Sequence, residues 1–137
     1  MDSKGHERKG VGSIYVIQKH RATHLHYDLR LEMDGVLKSW VIPKIPPMEK
    51  GVKRFAFQVE DHAIKYANFE GIIPEGQYGA GEVEIWDKGH YFLKEVDENK
   101  LVIEIKGEKL QGDYCLVKYK GKKNWSSFKN WLFFKIK

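Results

Sequence analysis

Cysteine is nearly absent from this 137-residue sequence, in which Cys115 is the single example. One cysteine excludes both an internal disulfide framework and a four-cysteine zinc site. No apolar run approaches the roughly 20 residues that a transmembrane helix needs, so we expect no membrane partner. Residues 1–12 are polar and lack the apolar region of a signal peptide. These absences predict a reducing, cytoplasmic compartment.

Familiar catalytic loops are also missing. The glycine-rich stretch at 76–81 reads GQYGAG and has no Gly-Lys-Ser/Thr, so it is not a phosphate-binding P-loop. No Gly-x-Ser-x-Gly elbow of a serine hydrolase occurs either. Candidate catalytic residues must therefore be sought outside these two motifs.

The composition indicates a folded domain with a modest positive charge. Hydrophobic residues make up 42% and aromatic residues 13%, which excludes a disordered chain. Twenty-four Lys and Arg against nineteen Asp and Glu give a net charge of +5, which favours a polyanionic partner. We expect one domain over residues 13–137, preceded by a flexible basic arm over residues 1–12.

Short runs of β-branched and aromatic residues, bounded by turn residues, predict an all-β barrel or sandwich of about eight strands. Asp34-Gly35 indicates a tight hairpin between two of them. Residues 82–86 and 91–94 read as separate strands, and residues 71–81 read as a long glycine-rich loop. In the strand predicted at 53–60, we expect Phe55, Phe57 and Val59 to point inward.

One strand carries unusually specific polar chemistry. Over residues 26–32, His26, Asp28 and Arg30 alternate with apolar residues, so the three share one face. With one more histidine, either His20 or His24, they form a two-histidine, one-carboxylate set that suits zinc, manganese or iron. Three protein ligands would leave positions open for water and substrate.

Further polar residues suggest a phosphate ligand. Arg30 offers a bidentate fork for a phosphate near such a metal. His62 and Tyr66, four residues apart, would lie on one side of a helical turn within residues 61–70. There they would donate hydrogen bonds to phosphate oxygens or protonate a leaving group. Basic residues that could surround a phosphate-rich ligand are Lys19, Arg21, Lys38, Lys44, Lys53 and Arg54.

These motifs resemble the 3′-phosphoesterase domain of the DNA ligase D family over roughly residues 13–135. The resemblance rests on the strings QKH at 18–20, LHYDLRLE at 25–32, DGVLKSW at 34–40, PK at 43–44, EDH at 60–62, Tyr66, and FEGIIPEGQYGAG at 69–81. The glycine-loop string and the His-Tyr-Asp-x-Arg string together are highly specific.

The resemblance implies a small closed β-barrel with little helix and a polar active-site crescent that holds one divalent metal. Manganese is the expected ion, with zinc or cobalt as alternatives. By this resemblance the metal ligands are His20, His26 and Asp28, and the residues around the scissile phosphate are Arg30, His62 and Tyr66. The resemblance also places Lys44 and Arg54 at the basic rim and Glu60 as a nearby supporting carboxylate.

The activity implied is healing of DNA 3′ ends. The family removes a 3′-terminal ribonucleoside to leave a 3′-phosphate, and then removes that phosphate to expose a 3′-hydroxyl. The expected partners are primer-template DNA 3′ ends, with or without a terminal ribonucleotide, and a separate DNA ligase and polymerase acting in trans. We expect a monomer.

Two other interpretations use the same residues. A non-haem iron oxygenase also has two histidines and one carboxylate as its metal ligands. A non-catalytic nucleic-acid-binding barrel would use only the basic surface.

Overall fold

Nine antiparallel strands and one short 3-10 helix make up the part of the chain that the computed structural model describes, residues 12–119 and 129–137. The strands are β1 Ser13–Arg21, β2 Leu25–Met33, β3 Val36–Ile42, β4 Lys53–His62, β5 Gly71–Ile73, β6 Gly81–Asp97, β7 Lys100–Gly107, β8 Gln111–Lys118 and β9 Asn130–Lys135. The 3-10 helix Ile64–Asn68 lies between β4 and β5. Apart from Gly12, the predicted N-terminal arm lies outside the described residues.

Eight of the strands close into a barrel. They follow the order β1-β2-β3-β4-β9-β8-β7-β6, and β6 returns to pair with β1. The predicted fold, a small closed β-barrel of about eight strands, is therefore confirmed. The ninth strand, β5, adds three residues beside the start of β6. Within the described ranges, no helix is long and apolar enough to cross a bilayer.

The closing strand differs from the sequence-based prediction. Residues 82–86 and 91–94, predicted as two strands, belong to the single 17-residue strand β6. Its first part pairs with β1 and its second part pairs with β7, so the polar stretch around Asp87 stays inside a hydrogen-bonded ladder. Residues 71–73, predicted as loop, pair with residues 81–83 as β5.

The predicted hairpin between β2 and β3 is confirmed. Met33 pairs with Val36, which leaves a two-residue connection. Asp34 and Gly35 have φ angles of 57° and 83°. A type I′ turn needs a positive φ at both central residues, and the Asp-Gly pair accepts this conformation readily.

The barrel interior is filled by large apolar and aromatic side chains. The predicted apolar face of β2, consisting of Tyr27, Leu29 and Leu31, belongs to this core. Cys115 is also buried, although it lies outside this interior cluster. A second, smaller cluster of Val16, Leu37 and Ala67 lies apart from the interior.

The inward face predicted for β4 was wrong. Ala56 is fully buried in the interior, whereas the Phe55 side chain is 50% exposed. The reason is steric, because Ala56 pairs directly with Trp131, whose ring packs edge-on against Trp40 at 5.8 Å. The two indole rings fill this level of the barrel and leave room for a small residue, so Phe55 and Phe57 point outward.

One buried carboxylate fastens the loop between β7 and β8. The Asp87 carboxylate accepts hydrogen bonds from the backbone N–H groups of Glu108, Lys109 and Leu110 and from the Tyr15 hydroxyl, at 2.7–2.9 Å. Four charge-assisted bonds satisfy a carboxylate that would otherwise be costly to bury.

We expect Asp87→Ala to lower the free energy of unfolding by more than about 3 kcal/mol, because several buried donors lose one charged acceptor. Tyr15→Phe removes one of the four bonds and should cost about 1.5–3 kcal/mol. Urea unfolding monitored by tryptophan fluorescence measures both. Equal losses in the two variants would contradict this account of the loop.

Candidate metal and phosphate site

The register of β1 and β2 brings the site together on the outer face of the barrel. His20 pairs directly with His26, and Gln18 pairs with Asp28 two residues further along. The residues of β2 between these polar positions point into the core. Strand alternation therefore aims His20, His26 and Asp28 away from the core on neighbouring strands.

The outer face is covered rather than open to solvent. Asp28 is 5% exposed and Arg30 is 4% exposed. The 3-10 helix packs through Ala67 against Val16 and Leu37, which seats it over β1 and β3. The loop of residues 74–80 closes the other side and ends at Gly81, where any side chain would collide with the backbone of Arg21.

The covering elements leave an open cleft of about 640 Å³. The side chains that line it include His20, His24, His26, Asp28, Arg30, Val41, Val59, His62, Tyr66 and Tyr78. Six of the nine residues that the resemblance assigned to the site therefore meet in one cleft.

Three potential metal ligands cluster at the floor of the cleft. His20 Nδ1 lies 3.4 Å from Asp28 Oδ2, and His26 Nε2 lies 3.3 Å from Asp28 Oδ1. One ligand atom from each of the three residues lies within 4.8 Å of the other two. The structure thus brings His20, and not His24, together with His26 and Asp28.

Backbone carbonyls orient both imidazole rings. His20 Nε2 lies 2.8 Å from the Gly79 carbonyl, and His26 Nδ1 lies 3.1 Å from the His24 carbonyl. A carbonyl only accepts hydrogen bonds, so each of these nitrogens carries the proton. His20 Nδ1 and His26 Nε2 then face Asp28, and each would offer a lone pair to a divalent cation once it gives up the proton that it shares with the carboxylate.

The charges of the cluster support each other. Burial would raise the pKa of the Asp28 carboxyl, but hydrogen bonds from His20 and His26 and the charge of Arg30 hold it well below its usual range. The hydrogen bond to Asp28 raises the pKa of His20 despite the opposing effect of burial. Asp28 is therefore a carboxylate at any physiological pH.

Arg30 is held rigidly beside this carboxylate. Its Nε donates to Gln18 Oε1 at 2.6 Å, its Nη1 donates to Ser39 Oγ at 2.8 Å, and its Nη2 lies 3.6 Å from Asp28 Oδ2. Burial lowers the pKa of Arg30, and the Asp28 charge opposes this effect. The guanidinium also lies 4.9 Å from the centre of the Tyr66 ring.

His62 and Tyr66 form the wall above Arg30. Their rings are 5.1 Å apart, and His62 Nδ1 lies 3.2 Å from Arg30 Nη1 and 3.1 Å from the Glu60 carbonyl. Burial, followed by the charge of Arg30, lowers the pKa of His62. Burial also raises the pKa of Tyr66. Both side chains are thus favoured as neutral hydrogen-bond donors.

The other predicted residues lie outside the cleft lining. Lys44 and Glu60 are exposed, and Arg54 Nε donates to the Ile45 carbonyl. Two of the basic residues assigned to a phosphate-rich surface are paired with carboxylates: Arg21 with Glu84 at 2.7 Å, and Lys38 with Asp61 at 3.3 Å.

Reasoning from the sequence missed the residues that support the site. Gln18 Oε1 accepts a hydrogen bond from Arg30 Nε, and Gln18 Nε2 donates to the backbone carbonyls of Tyr66 and Phe69. These bonds connect the 3-10 helix to the barrel. Gln18 lies two residues before His20 on one strand, so alternation could have placed it on the same face. No sequence pattern pointed to the Gly79 carbonyl, because Gly79 is distant from His20 in the sequence and only the path of the loop brings the two together.

Comparison with known proteins gives a specific result. A family model described as the DNA Ligase D 3'-phosphoesterase domain matches residues 18–118. The chain is 49% identical over 109 residues to the multifunctional non-homologous end joining protein LigD of Pseudomonas aeruginosa, covering 76% of this chain and 13% of that protein. It is 43% identical over 129 residues to the protein of the same name from Mycolicibacterium smegmatis, covering 86% of this chain and 17% of that one. The chain thus spans less than a fifth of these relatives.

We expect the folded protein to bind one divalent ion through His20, His26 and Asp28. Titration calorimetry with manganese should give one site in the wild type and no measurable site in His26→Ala, because a ligand is lost. His24→Ala is the matched control, since its side chain is exposed on the adjacent turn. Equal loss of binding in both histidine variants would contradict the assignment.

Proposed function

Because the chain belongs to the DNA ligase D 3′-phosphoesterase family, we propose that it is a metal-dependent phosphoesterase that heals DNA 3′ ends. The observation that carries the proposal is the set of His20, His26 and Asp28 beside a buried arginine in one cleft. Imidazole and carboxylate groups suit a divalent metal, and a guanidinium suits a phosphate. The proposed reactions are removal of a 3′-terminal ribonucleoside and hydrolysis of the resulting 3′-phosphate.

The donor set fits a divalent cation, since backbone carbonyls hold the far nitrogen of each ring and the near nitrogens, once deprotonated, would face the cation beside an ionised carboxylate. We propose manganese as the resident ion, with zinc and cobalt as substitutes. When bound, the ion supplies Lewis-acid polarisation of a phosphoryl oxygen. It also offsets the repulsion that the buried Asp28 carboxylate would exert on an incoming phosphate.

Arg30 stabilises the charge that develops on the phosphoryl oxygens. Gln18, Ser39 and His62 engage its Nε and Nη1 groups, so the fork is oriented before the substrate arrives. Its Nη2 group, beside Asp28, donates to a phosphate oxygen in the cleft. A donor that is oriented before the substrate binds requires no reorganisation during the reaction.

His62 acts as a neutral donor to the phosphate. Nδ1 lies within reach of both the Glu60 carbonyl and Arg30 Nη1, and we propose the tautomer in which Nδ1 accepts from Arg30 and the proton resides on Nε2. The lowered pKa of His62 favours this form over an imidazolium acid. Tyr66 adds a second neutral donor from the same wall of the cleft.

The outer positions contact the rest of the substrate. We propose that Lys44 and Arg54 bind DNA backbone phosphates at the rim, and that Glu60 is a supporting carboxylate near the site. Primer-template DNA is the proposed substrate class, with a separate ligase and polymerase as partners. The end-joining names of the relatives support this choice.

The decisive assay uses a labelled primer-template that ends in a 3′-phosphate. With manganese, we expect conversion to the 3′-hydroxyl, seen as a mobility shift on a denaturing gel. Chelator and His26→Ala should abolish the conversion, whereas His24→Ala should retain it. DNA binding without conversion in manganese, zinc or cobalt would instead support the non-catalytic barrel. A substrate with one terminal ribonucleotide tests the other proposed step.

A second variant tests the guanidinium. Arg30→Lys keeps a positive charge opposite Asp28 but loses the planar fork, so we expect kcat to fall about 10²–10³-fold. Thermal melting should show a folded protein. Near-wild-type turnover in this variant would show that Arg30 serves charge balance alone.

A further inference from the structure

The outward face of β4 presents an unusual row of side chains. Lys53, Phe55, Phe57 and Val59 occupy alternate positions of this strand, and we call them the β4 strip. Phe55 is 50% exposed. The rings of Phe55 and Phe57 are nearly parallel, with centroids 6.2 Å apart and an interplanar angle of 21°. The barrel core does not account for these aromatic side chains, because they lie outside it.

The strip runs directly out of the candidate site. Val59 lines the cleft, and Phe57 pairs across the sheet with Val41, which also lines it. Alternate residues of a strand are about 6.6 Å apart, so Phe57 and Phe55 lie one and two such spacings beyond Val59. Tyr119 packs against Phe55 with ring centroids 5.8 Å apart and extends the aromatic surface sideways.

The chemistry of the strip fits nucleobases joined by phosphates. Exposed aromatic rings stack on bases of any sequence, and a nearby cation tracks the backbone. The two-residue spacing of a strand is about twice the 3.4 Å rise of stacked bases. Lys53 lies at the end of the strip away from the cleft, and its Nζ rests 4.9 Å from the centre of the Phe134 ring. The strip therefore combines stacking faces with positive charge.

We propose that the β4 strip is a stacking platform for unpaired nucleotides immediately upstream of the 3′ end that enters the cleft. This inference rests on the proposed function and specifies its substrate further. Primer-templates whose 3′ end is frayed or ends in a few unpaired nucleotides are the preferred ligands, because the faces of paired bases are covered by their neighbours in a duplex. The strip thus selects ends that have a few free nucleotides.

Binding measurements test the platform without requiring turnover. The probes are a 5′-labelled oligothymidylate of about six nucleotides with a 3′-phosphate and a one-nucleotide counterpart, followed by fluorescence anisotropy in chelator. We expect Phe55→Ala to reduce the preference for the longer probe about 5- to 150-fold, the range for one lost base stack. Phe55→Trp should preserve or strengthen that preference.

Two controls address folding and nonspecific apolar binding. Phe57→Leu keeps much of the buried volume but loses the stacking face, so it should weaken binding while the melting temperature stays close to that of the wild type. Leu93→Ala removes an exposed apolar side chain of β6 outside the strip and should leave both probes unaffected. An unchanged length preference in Phe55→Ala and Phe57→Leu would overturn the proposal. Tighter binding of a fully paired blunt duplex would also overturn it.

The platform and the proposed activity can fail separately. If the protein hydrolyses the 3′-phosphate but neither aromatic variant alters oligonucleotide affinity, the platform is wrong and the enzyme assignment stands. If binding depends on the rings but no metal supports hydrolysis, the platform stands and the enzyme assignment is wrong.

Discussion

The buried contact between the Arg30 guanidinium and the Asp28 carboxylate is the interaction on which the outer face of this barrel depends. Removing two charges from water costs several kcal/mol for each ion, so every polar neighbour must compensate. Gln18 and Ser39 accept hydrogen bonds from the guanidinium, and Tyr66 covers it. The 3-10 helix and the loop of residues 74–80 cover these charges and are hydrogen-bonded to their neighbours Gln18 and His20.

Such a pair is a poor choice for stability alone, since well-packed apolar residues of similar volume often stabilise a fold as well or better. Its burial beside two oriented imidazoles favours a role in binding or catalysis.

An iron oxygenase shares the donor set, but membership of the phosphoesterase family and the adjacent arginine favour phosphate as the ligand. A purely binding barrel gives no reason for a buried carboxylate at a phosphate site. The interior of the barrel provides the packed frame, while its outer wall carries the candidate site.

Much of the fold and of the site centre was predictable from local patterns. The alternation around Asp28 placed the polar residues of β2 on one face, and Asp34-Gly35 identified the hairpin. The same rule failed for Phe55, because both faces of β4 carry apolar residues and alternation does not say which face meets the interior. The bulk of Trp40 and Trp131, contributed by two other strands, decides that question.

The sequence by itself determined the residue types and which of them share a strand face, because side-chain alternation follows from backbone stereochemistry within a few residues. Residue spacing left His20 and His24 open and the family resemblance favoured His20, whereas the tertiary structure gives the register of β1 and β2 that sets His20 opposite His26 and beside Asp28. The tertiary structure also brought the Gly79 carbonyl to His20 across 59 residues of chain. Barrel closure is set by packing between segments that are distant in the sequence, which no local pattern contains.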